Sequence, residues 1–416
     1  MRTALFFLLI GLLVTACGSG KSSNFDNGSL DGSVGAGDDA GAFGIDGGEA
    51  GPRTAVAHLT GKVLAPEKTI PIANALLYLT STRPPAIPQN VYCDKCVKLT
   101  SDTAYTYSKA DGTFDLPAYA TGKTFLVVQK GQFRRVREID VAAGAQTVAA
   151  EPTTFPAKSD PMNGDDIPKM AVVIGAWDHV EVTLAKLGLG TIKSNGIFGD
   201  TVENAAFDQK DVSLLSNGAA LLGYHIVFIP CSFSSGTTCS TSQTSSDPVV
   251  KQNLKQFVSA GGKVYATDYS YEYVRQPWPG FFAWDQQTST LGSACLPGSY
   301  DSSARVDDPG LAAWLTAIGE TNVTLQQNWT RVVSTAPQPG LDENGNAATI
   351  TPKVWVTAQQ GGTPATVSFE NGCGRVLFST YHTEGNGSSA LIAQEKALLY
   401  VLLEVGVCVG PPPPPR

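Results

Sequence analysis

The 416-residue sequence predicts two folded parts of different class, a β-sandwich followed by a doubly wound, mainly parallel α/β sheet. Three observations predict this. From about Val56 to residue 150, short runs alternate apolar and polar residues between turn signals, the period of half-buried strands. From Lys169 onward the apolar runs are continuous, as expected for strands covered on both faces. Between those runs apolar residues recur at helical spacing, and strand–helix alternation with short connections favours a parallel sheet.

The chain begins Met1-Arg2-Thr3, one positive charge ahead of an apolar run from Ala4 to Val14. That run is shorter than the roughly 20 residues that span a bilayer and suits the core of a signal peptide. It ends Val14-Thr15-Ala16-Cys17, which resembles the lipobox of bacterial lipoproteins. The resemblance implies a signal peptide over residues 1–16, cleavage before Cys17 and lipidation of that thiol. The membrane would then be a partner through acyl chains rather than a spanning helix. Gly18 and Ser19 stand where an aspartate would imply inner-membrane retention, so the expected location is the cell envelope, at the outer membrane. Residues 17–54 are rich in Gly, Asp and Ser with few large apolar residues, the composition of a flexible tether.

Charged residues are only 16% of the chain, the net charge is −8, and no basic cluster could neutralise a run of phosphates, which excludes nucleic acid as a partner class. No cofactor is implied, and Cys93-Asp94-Lys95-Cys96 has the spacing of a redox or zinc half-site but no second Cys/His pair nearby. Seven cysteines remain after Cys17, and in an oxidising compartment they read as disulfides. Local pairs are Cys93–Cys96, Cys231–Cys239 and Cys373–Cys408, which leaves Cys295 over; spacing alone does not fix the connectivity.

Within the first folded part, strands are expected at 58–64, 71–79, 105–108, 113–116, 124–130 and 133–136, with Asp111-Gly112 turning one hairpin. The order Gly-x-Val, Pro-x-Ala-x-Ala-x-x-Tyr, Asp-Gly-x-Phe-x-Leu resembles the carboxypeptidase regulatory-like, or prealbumin-like, domain over residues 55–150. That implies a spacer or packing module. Residues 151–167, rich in Pro, Asp and Ser, read as a linker.

The second part spans residues 168–408, ahead of a Pro-rich tail over 409–416. Its expected strands are 169–175, 225–231, 263–268, 354–357, 365–369 and 375–380, with helices over 179–187, 248–260 and 390–405. Two stretches, Leu254 to Asp268 and Gly374 to Glu384, make this part similar to the class I glutamine amidotransferase-like superfamily. The resemblance implies a flavodoxin-like sheet, a nucleophile on the turn after the strand that follows Gly261-Gly262, and a His-x-Glu pair at His382 and Glu384. The nucleophile position holds Asp268 rather than Cys, which argues against glutamine hydrolysis.

In an open parallel sheet, ligands bind at the carboxyl ends of the strands. That places Asp178 and His179, Cys231 and Ser232, Asp268 and Tyr269, and His382 and Glu384 along one edge, all but Cys231 as candidate binding residues. Three readings stay open: a polar network that fixes the sheet edge, a pocket for glycan or peptide, or catalysis by Asp268, His382 and Glu384. The leading expectation is a non-catalytic binding or scaffolding protein of the envelope. Its rival is a metal- or acid/base-dependent hydrolase acting on envelope glycan or peptide. The aromatic run from Tyr269 to Trp284 reads as local core or as an exposed stacking surface.

Overall fold

A computed structural model describes residues 53–94, 97–100, 102–175, 177–194, 200–232, 243–384, 390–403 and 409–410. Cys17, the signal segment, nearly all of the tether and the end of the Pro-rich tail lie outside the described residues.

The first part is two facing sheets. Ala57–Lys62 pairs with Thr113–Ala118 on one side and Gly144–Thr147 on the other. The larger sheet runs, in spatial order, Tyr105–Tyr107, Leu76–Thr80, Gly122–Lys130, Phe133–Val141 and Asp165–Asp166, all antiparallel. Alternation does the sorting: Ala57 and Leu59 point inward while His58 between them is exposed. Leu59 and Leu116 meet Leu77, Leu126 and Val128 in one core.

The expected Asp-Gly hairpin does not form. Tyr105–Tyr107 pairs with Leu76–Tyr78, and Thr113–Ala118 pairs with Ala57–Lys62, so the turn at Gly112 carries the chain from one sheet to the other. Gly112 takes φ 79°, and its carbonyl accepts from Val63 N at 2.8 Å, which holds the crossover against the other sheet. Residues 151–167 are built into the sandwich. Asp165–Asp166 adds an edge strand, held by Arg135 on Asp165 at 2.8 Å and the buried Arg134–Asp166 pair at 2.7 Å.

The second part is a nine-stranded sheet. Its spatial order is Asp208–Lys210, Met170–Val173, Ile226–Ile229, Lys263–Thr267, Gly374–Ser379, Thr363–Asn371, Lys353–Ala358, Tyr300–Val306 and Thr324–Asn328. The first five strands are parallel and the remaining pairings antiparallel, so the sheet is parallel in one half only. Side chains alternate between two cores. Ala171, Val227 and Val264 meet Val250, Leu254, Phe257 and Val258 of the helix Pro248–Ser259. Met170, Val172 and Phe228 face the opposite way, into the core that holds Trp314 and Leu398 of the helices Pro309–Ala317 and Ala393–Leu403. Tyr271, Tyr273, Trp278, Phe281, Phe282 and Trp284 are buried, and Phe281 stacks on Phe369 at 3.9 Å. The aromatic run is core.

Residues of the sandwich and the α/β sheet share that second core, and Trp314 Nε1 donates to Pro71 O at 2.8 Å across it. Along the amino ends of the parallel strands lies the segment 88–94. His225 Nε2 sits 3.0 Å from Asn90 O, and Val91 N donates to Leu222 O. Gly261 has φ 111°, and a Cβ there would fall 2.0 Å from Tyr92 O, which explains the glycine. Cys93 is bonded to Cys373 across a separation of 280 residues. The pairs Cys93–Cys96 and Cys373–Cys408 are therefore overturned. Cys231 is free and buried, which overturns Cys231–Cys239, and Cys295 is disulfide-bonded rather than left over. Local spacing favours short loops in an unfolded chain, but the folded sheet decides which thiols meet. Cys96, Cys239 and Cys408 lie outside the described residues. Among the described residues no helix is long and apolar enough to cross a membrane.

Lys263 opens its strand at this amino edge, 3.8 Å from Asp94. Burial holds its ammonium down to about 8, with Asp94 opposing the shift. The unfolded chain, with an ordinary lysine near 10.5, binds this proton over a pH range where the folded chain does not. The stabilising contribution is therefore complete above about 10.5 and lost as pH falls through about 8. Thermal melts are expected to show an upward limb over that interval that Lys263→Met removes.

Candidate functional site

Four parallel strands deliver polar residues to the carboxyl edge of the sheet. Asp178 follows Met170–Val173, Cys231 and Ser232 follow Ile226–Ile229, Asp268 follows Lys263–Thr267, and His382 to Glu384 follow Gly374–Ser379. The structure brings Asp178, Cys231, Asp268 and His382 together in a buried cluster. Ser232 is exposed at the same edge. Tyr269 turns into the protein, its hydroxyl donating to Leu296 O at 3.2 Å and its ring against Trp329.

Asp178 is wholly buried and acts as a hub. It accepts from Thr267 Oγ1 at 2.5 Å, Thr383 N at 2.8 Å and Thr383 Oγ1 at 3.2 Å. Thr267 Oγ1 in turn accepts from Cys231 N at 2.8 Å. One carboxyl group thus joins the ends of three strands. Its pKa is raised by burial, with His382 and the two threonine contacts opposing.

Asp268 occupies the turn after the Lys263–Thr267 strand in left-handed conformation, φ 47°. Such backbone is strained for a residue with a side chain and persists where the surroundings fix it. Here Trp329 N donates to Asp268 Oδ2 at 3.2 Å, and His382 Nε2 lies 3.4 Å from the same oxygen. The spacing is that of an ion pair, but burial pushes Asp268 well above the carboxylate range and holds His382 below the ordinary histidine range, so it works against the charged form of each. Asp268 Oδ1 and both ring nitrogens of His382 make no hydrogen bond among the described residues.

Cys231, a disulfide partner by sequence spacing, is instead a free thiol. It is 1% exposed, and its ligating atom lies within 4.8 Å of those of Asp268 and His382. Burial, and then the nearby Asp268, push the thiol well above its ordinary pKa, so it is not a ready thiolate. The available signal is positional: Cys231 follows its strand as Asp268 follows the next one.

Glu384 is half-buried, as is His179, and it feels His179, Asp178 and the buried Glu181. His179 Nδ1 is 2.9 Å from Glu181 Oε1, a contact that raises its pKa to about 9. Burial raises Glu384 to about 7, with His179 opposing. Asp178 and His179 act on both His382 and Glu384, while Glu181 and Lys186 act on Glu384 alone. A pocket of about 350 Å³ lies elsewhere, where the sandwich meets the α/β sheet, lined by Gln89, Lys158, Pro168, Lys169 and Asn204 among others.

No protein-family model and no curated protein matches the chain. Several solved structures are similar to part of it. A protein assigned to GMP synthase from Thermoplasma acidophilum is 8% identical over 56% of this chain and 92% of its own, at a TM-score of 0.34. PurLQS from Thermotoga maritima is 12% identical over 56% of this chain and 97% of its own, also at 0.34. The GH42 β-galactosidase Gan42B is 11% identical at 0.28, and the match covers 58% of this chain but only 30% of that enzyme. Scores this low carry no argument about activity. The neighbours include amidotransferase-type proteins, the chain itself is a multi-sheet β-rich fold, and no family assignment follows.

Proposed function

We propose that the chain is an envelope lipoprotein, anchored through Cys17 at the outer membrane, that binds or scaffolds and does not catalyse. In this reading residues 55–150 are a prealbumin-like module, and the α/β part is amidotransferase-like with its nucleophile position taken by Asp268. The observation that carries it is the filled strand edge. Asp178 and Asp268 are 0% exposed, Cys231 1% and His382 5%, so no nucleophile of the cluster meets solvent. The Cys93–Cys373 disulfide suits an exported protein. The Lys158–Lys169 pocket has the volume of a small-ligand site, and its two ammonium groups suit an anionic group of an envelope glycan or peptide.

The test is a thermal-shift screen of the full chain against acidic glycans and peptides, alongside a glutamine hydrolysis assay. The expected result is no ammonia release and a shift that Lys158→Ala with Lys169→Ala removes and His382→Ala keeps. Turnover lost in His382→Ala, or a ligand shift lost only there, would replace this reading with the hydrolase. Cys17→Ser is expected to move the protein out of the membrane fraction.

A further inference from the structure

Cys231, Asp268 and His382 stand on the ends of three parallel strands that neighbour one another, Ile226–Ile229, Lys263–Thr267 and Gly374–Ser379. A sulfur, an oxygen and a nitrogen, all buried, lie within 4.8 Å of one another. The second observation is the buried His382, whose ring nitrogens have lost water and gained no hydrogen bond among the described residues. Such an unmet nitrogen costs about 1–3 kcal/mol, and a bound ion would satisfy one of them.

We propose that Cys231 Sγ, the Asp268 carboxylate and a His382 ring nitrogen hold one divalent transition-metal ion of the zinc class at the strand ends. The geometry fits. Ligands at about 2.1 Å around a tetrahedral ion stand about 3.4 Å apart, and Asp268 Oδ2 and His382 Nε2 are separated by 3.4 Å. The sulfur lies within 4.8 Å of the ligand atoms of both residues, against the roughly 3.6 Å expected between sulfur and nitrogen or oxygen ligands of one tetrahedral ion. A thiolate ligand excludes calcium and magnesium, which take oxygen donors. On binding, the thiol proton and any proton held on the carboxyl are released to solvent while the histidine binds as the neutral ring. The surroundings are those of a supported site. The Thr267 hydroxyl ties the Cys231 backbone to Asp178, and Trp329 N fixes the Asp268 carboxyl. This site lies apart from the Lys158–Lys169 pocket, and its existence does not depend on the binding role.

The experiment uses the full chain under non-reducing conditions, stripped with a chelator and then titrated with cobalt(II) and zinc(II). Expected are one equivalent of metal per chain, strong ligand-field absorption of tetrahedral cobalt and a thiolate-to-cobalt charge-transfer band in the near ultraviolet. Cys231→Ser loses that band, and His382→Ala loses affinity by at least about tenfold. Circular dichroism separates loss of metal from loss of fold, and the wild-type spectrum stands without any variant. A folded wild-type chain that takes up no cobalt, or a charge-transfer band that survives Cys231→Ser, overturns the site.

Discussion

Glu395→Ala is expected to destabilise the chain by about 3–5 kcal/mol, the cost of leaving a buried charge without its partner. Glu395 is wholly buried near the start of the helix Ala393–Leu403. Its Oε1 accepts from Lys186 Nζ at 2.7 Å and Thr183 Oγ1 at 2.9 Å, and its Oε2 accepts from Ile392 N at 2.7 Å. The side chain of Lys186 is 4% exposed. Removing the carboxylate strands that ammonium, frees a hydroxyl and uncaps the helix together. Lys186→Met combined with Glu395→Gln is expected to recover a large part of the loss, because no unpaired charge remains. Glu203→Ala breaks a pair whose side chains are 59% and 50% exposed and is expected to cost under about 1 kcal/mol. Denaturant melts measure all three. Equal costs for Glu395→Ala and Glu203→Ala would show that the Lys186 site is wet.

The second large effect is expected from the disulfide. Cys93–Cys373 closes a loop of 280 residues between the segment over the amino edge of the parallel sheet and the turn that leads into Gly374–Ser379. Loss of a native bridge costs about 2–5 kcal/mol, chiefly by releasing the unfolded chain. The double variant Cys93→Ser/Cys373→Ser is expected to melt roughly 5–15 °C lower. Its hydrogen exchange should quicken along 88–94 and at the start of the Lys263 strand, while the carboxyl-edge cluster keeps its protection. A melt unchanged by the double substitution would mean that the core common to both parts already fixes these segments.

How much of this is legible in the sequence follows from burial. The strands at 170–173, 226–229 and 263–267 are covered on both faces and read as continuous apolar runs. The antiparallel flank is covered less evenly, so Tyr300–Val306 (YDSSARV) and Thr324–Asn328 (TLQQN) carry no such run. The edge strand Asp208–Lys210 is exposed throughout. The strand-end residues follow directly from the strands, and Asp178, Asp268 and His382 do meet. Cys231 is placed at that edge by its strand as well, but that it is free does not follow, because distant thiols pair through the fold and not through spacing. A two-residue interval puts Glu384 near His382, and both feel His179 and Asp178, but Glu384 is half-buried where His382 is buried.

The central claim is that the strand edge is closed, with Cys231 in the metal-free chain a buried thiol rather than a nucleophile. Alkylation of the native full chain by iodoacetamide at mildly alkaline pH, with a chelator present and the modified peptides mapped by mass spectrometry, tests it most directly. A closed edge predicts no label on Cys231 in the folded chain and complete label after denaturation. Rapid labelling of Cys231 in the native chain would contradict it, exposing an accessible thiol beside His382 and making catalysis the better reading.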